Sequence, residues 1–293
     1  MNSFAFEAPN SLDDALALLA ERAAASVRTQ ILAGGTDMIV QLRADRTPRL
    51  IVDIKRIPET RSIDLGPEGL VLGSAVTGAE LTARTDVAAR YPGLVEATDL
   101  IGSTQIQGRA SVGGNLCNAS PAGDTIPALI ANSAVCLIAG PGGRREVPVE
   151  AFVVGVGKNQ LAPGEFLVAL KLPHPGPRSA DAYLRFIPRT EMDIAVAGAG
   201  VRVTLDESGV CTAARVSIGA VAPTALLVPE AAEALIGSRL DDAACARAAA
   251  ACSAAAKPIS DKRGTEQYRR HVVGVLTRRA AVIARDRILG ADA

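Results

Sequence analysis

Apolar residues recur at helical spacing near the start of the chain and then give way to short, continuous apolar runs. Ser11 to Asp14 is a helix-capping sequence, and the apolar residues after it keep a helical period through Ala24. A run of four or five apolar residues between turn signals is typical of a buried strand. In this first part, residues 1–60, the pattern predicts a helix to Ala24, a strand at Thr29–Ala33, a helix from Thr36 to about Leu42 and a strand at Arg49–Ile54.

The pattern changes after the Gly66-Pro67-Glu68-Gly69 turn, and residues 61–174 form a second predicted unit. Three prolines within Pro173–Pro177 cannot lie inside a regular element, so a third unit, residues 178–288, is expected beyond them. For the second unit the pattern predicts strands at 70–76 and 166–172 and a hairpin of 134–138 with 145–149. It also predicts a helix capped by Thr77, a helix at 94–100 and the start of a helix at 124–127. The third predicts strands around 183–186, 194–205 and 213–218, followed by helices at 230–235, 243–256 and 266–285, an α+β arrangement.

Composition narrows the function classes. The 293 residues carry 31 basic and 31 acidic side chains, and only 3% are aromatic, so neither nucleic acid nor an anionic membrane surface is an expected partner. No apolar run is long enough to span a membrane, and the N-terminus lacks an export signal, which makes the cytoplasm the expected location. The five cysteines include no C-x-x-C pair, so no disulfide framework, zinc site or iron–sulfur site is expected.

Two glycine pairs carry the chemistry that the sequence offers. Gly34-Gly35 follows an apolar run and precedes Thr36-Asp37, and Gly113-Gly114 lies in a stretch of small polar residues that extends to Asp124. Glycine lets backbone N–H groups approach an anion closely, and a helix N-terminus favours negative charge. Two such segments indicate a bound nucleotide with a diphosphate, although each alone could be an ordinary turn. Neither has the spacing of a dinucleotide-binding G-x-G-x-x-G fingerprint or of a P-loop.

The sequence contains little that would support a hydrolase active site or a metal site. The chain has only two histidines, His174 in the proline-rich linker and His271 in the last predicted helix, and no G-x-S-x-G elbow. No second ligand stands at metal-binding spacing from either histidine. The arginines around His271 are expected on a solvated or subunit-facing helix surface.

Three segments resemble one known family. The segment Ala33–Asp37, the segment Ala110–Asn115 with Ala119–Pro121 and Asp124, and the tail Arg263–Arg270 are similar to the FAD-binding medium subunit of the molybdenum hydroxylases. That family includes xanthine dehydrogenase and aerobic carbon monoxide dehydrogenase. The resemblance covers essentially the whole chain. It implies an α+β fold: a two-subdomain FAD-binding domain of the vanillyl-alcohol-oxidase type, followed by a C-terminal domain of the carbon monoxide dehydrogenase flavoprotein type.

The resemblance also implies which residues bind FAD. Asp124 corresponds to a carboxylate near the adenosine ribose, Ile101, Gly102, Ile106 and Leu167 to the flavin pocket, and Arg185 to a basic residue close to the flavin. No catalytic or metal-binding residue is expected in this chain. The full expected set is Ile31, Leu32, Ala33, Gly34, Gly35, Thr36, Asp37, Met38, Ile101, Gly102, Ile106, Ala110, Ser111, Gly113, Gly114, Asn115, Cys117, Asn118, Ser120, Asp124, Leu167 and Arg185.

The function implied is electron transfer. In the family scheme a large subunit hydroxylates the substrate at a molybdenum cofactor, a small subunit with two [2Fe-2S] clusters relays electrons, and the FAD of this chain passes them to an external acceptor, in a dimer of heterotrimers. FAD would be the only redox centre of this chain. Two alternatives remain open: a free-standing flavin oxidase of the same fold, which the scarcity of His and Tyr disfavours, and an interaction subunit without a cofactor.

Overall fold

A computed structural model describes residues 4–43, 50–190 and 192–290 of the chain. Its first part is a three-stranded parallel sheet with strand order β1-β3-β2. Ser11 caps the first helix, since its hydroxyl accepts a hydrogen bond of 3.1 Å from the Asp14 amide, and the apolar face of that helix is buried. The elements are β1 (Ala5–Glu7), α1 (Leu12–Ala24), β2 (Thr29–Leu32), α2 (Thr36–Arg43) and β3 (Leu50–Asp53).

The second part is a five-stranded antiparallel sheet, order β4-β5-β10-β6-β7, flanked by short helices. A short 3₁₀ turn at Pro58–Thr60 leads into it. The strands of this sheet are β4 (Ile63–Gly66), β5 (Gly69–Gly73), β6 (Val135–Gly140), β7 (Gly143–Pro148) and β10 (Phe166–Pro173), and a separate two-stranded hairpin contains β8 (Val153–Gly155) and β9 (Lys158–Asn159). Its helices are α3 (Gly78–Thr82), α4 (Thr85–Arg90), α5 (Pro92–Asp99), α6 (Thr104–Gln107), α7 (Val112–Asn118), α8 (Thr125–Ala131) and α9 (Val149–Phe152).

The third part is a four-stranded antiparallel sheet, order β11-β12-β13-β14, covered by three helices. It begins at Ser179, just beyond the proline-rich segment. Its helices pack on the sheet through a core rich in alanine and valine. The elements are β11 (Ser179–Phe186), β12 (Ala197–Leu205), β13 (Cys211–Gly219), β14 (Leu226–Leu227), α10 (Pro229–Leu235), α11 (Asp242–Ala255) and α12 (Glu266–Leu289). None of the described helices is both long and apolar enough to cross a membrane.

The observed elements follow the predicted ones with a few differences. The short strands β1, β4, β8, β9 and β14 and the short helices α4, α6 and α9 were not predicted, and β12 begins at Ala197 rather than at 194. The stretch from Ser111 to Asp124, expected to be a loop, contains the helix α7. Ser111 supplies its cap, and this local hydrogen bond outweighs the low helix propensity of Gly113 and Gly114.

Of the arginines near His271, Arg269 is buried within the third part, whereas Arg278 and Arg279 lie on an exposed face as expected. Arg269 is buried, pairs with Asp261 at 2.8 Å and donates to the carbonyl of Val196 at 2.9 Å. Arg278, in contrast, lies in an exposed ion pair with Asp242. Arg269 therefore ties the loop before α12 to the sheet.

A buried carboxylate lies where β11 meets α5 and α8. The Asp181 side chain accepts a 2.6 Å hydrogen bond from the amide of Asn132. Burial raises the pKa of Asp181 to about 6, despite the hydrogen bond from Asn132 and the nearby charge of Arg202. The folded state thus holds this proton more tightly than the unfolded chain does.

A pH-dependent stability follows from that raised pKa. The stabilising contribution of protonated Asp181 is complete below pH 3.8 and is lost as the pH rises through about 6. Relative to wild type, Asp181→Asn should therefore gain roughly 2 kcal/mol between about pH 5 and pH 8. Urea denaturation of both proteins across that range measures the difference. A difference that does not change with pH would contradict the assignment of the proton to Asp181.

Candidate functional site

The first glycine pair joins β2 to α2, and each glycine is required for a different reason. Gly35 has φ +79°, in the left-handed region that favours glycine. Gly34 touches the second glycine segment, because a Cβ on Gly34 would lie 2.0 Å from the carbonyl oxygen of Arg109. Along α2, the Ile39 amide donates to Gly35 at 3.0 Å. Within the described residues, the earlier amides of α2, those of residues 36–38, have no backbone acceptor.

The second glycine pair lies in the first turn of α7. The Ser111 hydroxyl accepts a 3.0 Å hydrogen bond from the Gly114 amide. Gly113 packs on the backbone of Ser74, so that a Cβ there would lie 2.5 Å from the Ser74 carbonyl oxygen. A Cβ on Gly114 would meet only the Ser111 hydroxyl, at 3.0 Å. Gly113 is thus a packing residue, whereas Gly114 leaves backbone open to a ligand.

Both segments line one cleft of about 660 Å³, which we call the main cleft. Its walls combine backbone and neutral polar groups of the two glycine segments with apolar side chains such as Ile101, Phe166 and Leu167. The expected site residues that line it are Ile31, Ala33, Gly34, Gly35, Thr36, Asp37, Met38, Ile101, Ala110, Ser111, Gly113, Gly114, Asn115, Cys117, Asn118, Ser120 and Leu167. Segments more than 70 residues apart in the sequence therefore meet, as the nucleotide hypothesis requires.

Three of the remaining expected residues lie just behind the cleft wall. Leu32 is the last residue of β2 and packs against Gly35. A Cβ added to Gly35 would lie 2.8 Å from the Cδ1 atom of Leu32. Gly102, at φ +59°, turns the chain after Ile101, and Ile106 packs against it. These residues shape the wall without lining it.

Asp124 and Arg185 lie outside the cleft lining, in a buried ion pair. The Asp124 carboxylate accepts a 2.6 Å hydrogen bond from Arg185 and a 2.9 Å hydrogen bond from the Tyr183 hydroxyl. The Arg185 and Asp124 side chains are only 6% and 9% exposed. Burial raises the pKa of Asp124, and Arg185 and Tyr183 oppose that rise. The pair joins α8 to β11, and contact of either residue with a nucleotide stays a prediction.

Sequence reasoning missed several polar residues of the main cleft. Gln41, on α2, donates to the side-chain oxygen of Asn118 at 3.1 Å, and Asn159 donates to the Cys117 carbonyl at 2.9 Å. Asn159 belongs to the β8–β9 hairpin, which the backbone hydrogen bond from Gly157 to Ala119 holds on the end of α7. No motif marks this hairpin, so only the fold reveals its place in the site.

The ionisable groups of the main cleft are few. None of its lining side chains in the described part of the chain is Lys, Arg or His, and Asp37 is the one carboxylate. Burial raises the pKa of Asp37 and raises the pKa of Cys117 to about 12. The Cys117 thiol therefore stays protonated at neutral pH and is a poor nucleophile. An anion in this cleft would be held by backbone amides and neutral polar groups.

These features fit a dinucleotide with a diphosphate. The free amides at the start of α2 offer hydrogen-bond donors to phosphate oxygens, and the absence of a side chain at Gly114 lets a ligand approach α7 closely. The apolar wall around Ile101 and Leu167 offers a dry surface for a ring system. The cleft volume also lies within the range typical of cofactor sites.

Comparisons with known proteins identify the family of the chain. Residues 2–175 match the model of the FAD binding domain in molybdopterin dehydrogenase, and residues 182–283 match the carbon monoxide dehydrogenase flavoprotein C-terminal domain. The carbon monoxide dehydrogenase medium chain of Afipia carboxidovorans is 33% identical over 97% of this chain and 98% of its own. The putative xanthine dehydrogenase FAD-binding subunit of Escherichia coli is 32% identical over 92% of this chain and 91% of its own.

Solved structures show the same similarity. A chain of the reconstituted carbon monoxide dehydrogenase from Oligotropha carboxidovorans superposes with a TM-score of 0.90 at 32% identity, covering 98% of this chain and 99% of that chain. A chain of quinoline 2-oxidoreductase from Pseudomonas putida gives 0.87 at 26% identity, covering 99% and 98%.

The chain belongs to the family of FAD-binding domains of molybdopterin dehydrogenases. It is an oxidoreductase flavoprotein subunit with the carbon monoxide dehydrogenase type of C-terminal domain. The family and the α+β fold class predicted from the sequence are confirmed. The division at residues 60 and 174–178 and the individual FAD contacts stay predictions.

Proposed function

We propose that this chain is the FAD-carrying electron-transfer subunit of a molybdenum hydroxylase complex. It receives electrons from a [2Fe-2S] subunit and delivers them to an external acceptor. The observation that carries the proposal is the main cleft, in which two distant glycine segments present open backbone to one ligand. The match to medium-chain subunits over nearly the full chain supports it.

The residues of the cleft have binding and positioning tasks. Amides at the start of α2 would hold the diphosphate, Gly114 would let it lie close to α7, and Ile101 with Leu167 would exclude water from the ring. Bound FAD would supply the redox chemistry, which the protein tunes by its surroundings. Since Cys117 is a protonated thiol and no histidine lines the described cleft, Asp37 is the one described lining side chain that could act as a base on an organic substrate.

The proposed partners are a large subunit with the molybdenum cofactor and a small subunit with two [2Fe-2S] clusters, assembled as a dimer of heterotrimers in the cytoplasm. Two of the similar proteins support this, since their names describe a medium chain and a complex subunit. Native mass spectrometry of the purified complex would give three polypeptides in equal numbers. A chain that purifies alone from its native source would contradict the assembly.

Anaerobic reduction tests the function itself. The flavin absorbance of the isolated, FAD-loaded chain should not bleach with the substrate of the complex, whereas the complete complex should bleach within its turnover time. Bleaching of the isolated chain by an organic substrate would instead favour the free-standing oxidase.

Gly113 and Gly114 provide a paired test of the cleft. Gly114→Val places a side chain where the backbone is open, and should weaken FAD binding at least about tenfold with little change in stability. Gly113→Ala should mainly destabilise the fold, by about 1–3 kcal/mol, because its Cβ would overlap Ser74. Equilibrium FAD titration and urea denaturation of both variants separate the effects. Equal FAD affinity in Gly114→Val and wild type would place the ligand elsewhere.

A further inference from the structure

A second concave site lies behind the first glycine segment. This groove, which we call the basic groove, has a volume of about 490 Å³ and is lined by Lys55, Arg61, Thr77, Glu80 and Arg109, together with Ala79 and Gly108. Three cationic side chains line the groove, but Lys55 pairs with Asp53 and Arg61 with Glu80, so Arg109 is the lining cation that no described carboxylate offsets. The basic groove differs in this respect from the main cleft, whose described lining has no cationic side chain.

Two of the three cations are held in place by the fold. The Lys55 ammonium donates to the carbonyl of Ala33 at 2.9 Å and to Asp53 at 2.7 Å. Arg61 donates to the carbonyl of Ala75 at 2.9 Å and pairs with Glu80. These two side chains are therefore held in place before any ligand arrives, with their charges largely offset by Asp53 and Glu80.

Arg109 is the cation left available. Its side chain is exposed, and among the described residues it makes neither an ion pair nor a side-chain hydrogen bond. A guanidinium offers donors in a planar fork that matches a phosphate group. The backbone of the same residue packs on Gly34, so Arg109 lies at the wall between the groove and the main cleft.

We propose that the basic groove is a second binding site for a phosphate-bearing small molecule, with the phosphate on Arg109. The unpaired positive charge of Arg109 favours an anion, and the volume suits a nucleoside diphosphate or a smaller phosphate. A ligand there would lie back to back with the first glycine segment, since Lys55 binds Ala33 and Arg109 contacts Gly34. The proposal does not depend on which electron acceptor the complex uses.

Calorimetric titration of the full chain loaded with FAD tests the proposal, because FAD then occupies the main cleft. The probes are inorganic pyrophosphate and ADP. The wild-type chain should bind pyrophosphate saturably, and Arg109→Gln should weaken that binding at least about tenfold. Arg144→Gln is the matched control, since Arg144 is an exposed arginine on β7 that lines neither site. It should bind as wild type does.

The outcomes separate this proposal from the proposed function. FAD content is measured first, from the flavin absorbance of the same sample, and a chain that takes up no FAD contradicts the main-cleft assignment. With FAD bound, the absence of saturable pyrophosphate binding, or equal weakening in Arg109→Gln and Arg144→Gln, would overturn the basic groove alone. Tighter binding of ADP than of pyrophosphate would identify a nucleotide as the ligand, and equal binding would identify the phosphate group.

Discussion

Gly34→Ala should abolish FAD retention and destabilise the chain. An added Cβ would lie 2.0 Å from the Arg109 carbonyl oxygen and 2.7 Å from its carbonyl carbon, both backbone atoms that cannot rotate away. The two glycine segments would have to move apart, and overpacking of this kind costs about 1–3 kcal/mol or more. Because the same movement separates the two walls of the main cleft, we expect the loss of FAD affinity to exceed about a hundredfold.

The measurements are the FAD content of the purified variant and its urea midpoint. Gly142→Ala is a suitable control, since a Cβ at Gly142 would meet no atom within 4 Å and its φ lies outside the left-handed region. It should retain FAD as wild type does. Normal FAD binding by Gly34→Ala would mean that contact between the segments does not form the site.

Asp124→Ala should be the most destabilising change at the junction of the second and third parts. It leaves the Arg185 guanidinium, with a side chain only 6% exposed, buried without its partner. Removing one member of a buried ion pair costs about 3–5 kcal/mol, much of it the cost of the remaining charge. The Tyr183 hydroxyl loses its acceptor as well. The urea midpoint of the full chain should therefore fall markedly.

Two further variants separate charge from shape. Asp124→Asn keeps an oxygen that can accept from Arg185 or Tyr183, and should lie between wild type and Asp124→Ala. The double variant Asp124→Ala with Arg185→Met removes both charges and should recover much of the lost stability. If the double variant is as unstable as Asp124→Ala, the unpaired charge is not the cause. FAD affinity of the double variant also tests the predicted contacts of both residues with the cofactor.

The sequence predicted the parts of the fold that short-range rules govern. The cap at Ser11 and the apolar spacing after it located α1. The strand β11 begins at Ser179, just after the predicted break at Pro173–Pro177. The three-residue strand β1 was missed because all of its residues are exposed and it carries no apolar alternation. The helix α7 was missed because Gly113 and Gly114 disfavour a helix, while its cap and packing on Ser74 stabilise it.

The part of the site that the sequence predicted is the pair of glycine segments. Both segments meet in one cleft, but the roles of their glycines differ in ways that only tertiary contacts decide. Gly34 and Gly113 accommodate neighbouring backbone, and Gly114 faces the cleft. The hydrogen bond of Asn159 to Cys117 links residues 42 positions apart, and that of Tyr183 to Asp124 links residues 59 positions apart. No local sequence pattern predicts either contact.

The ratio of FAD to polypeptide in the isolated full chain tests the central claim most directly. After incubation with FAD and removal of the free cofactor, absorbance at the flavin bands should give one FAD per chain, and Gly114→Val treated in the same way should give far less. A wild-type chain that stays colourless, or that takes up no more FAD than Gly114→Val, would contradict the account.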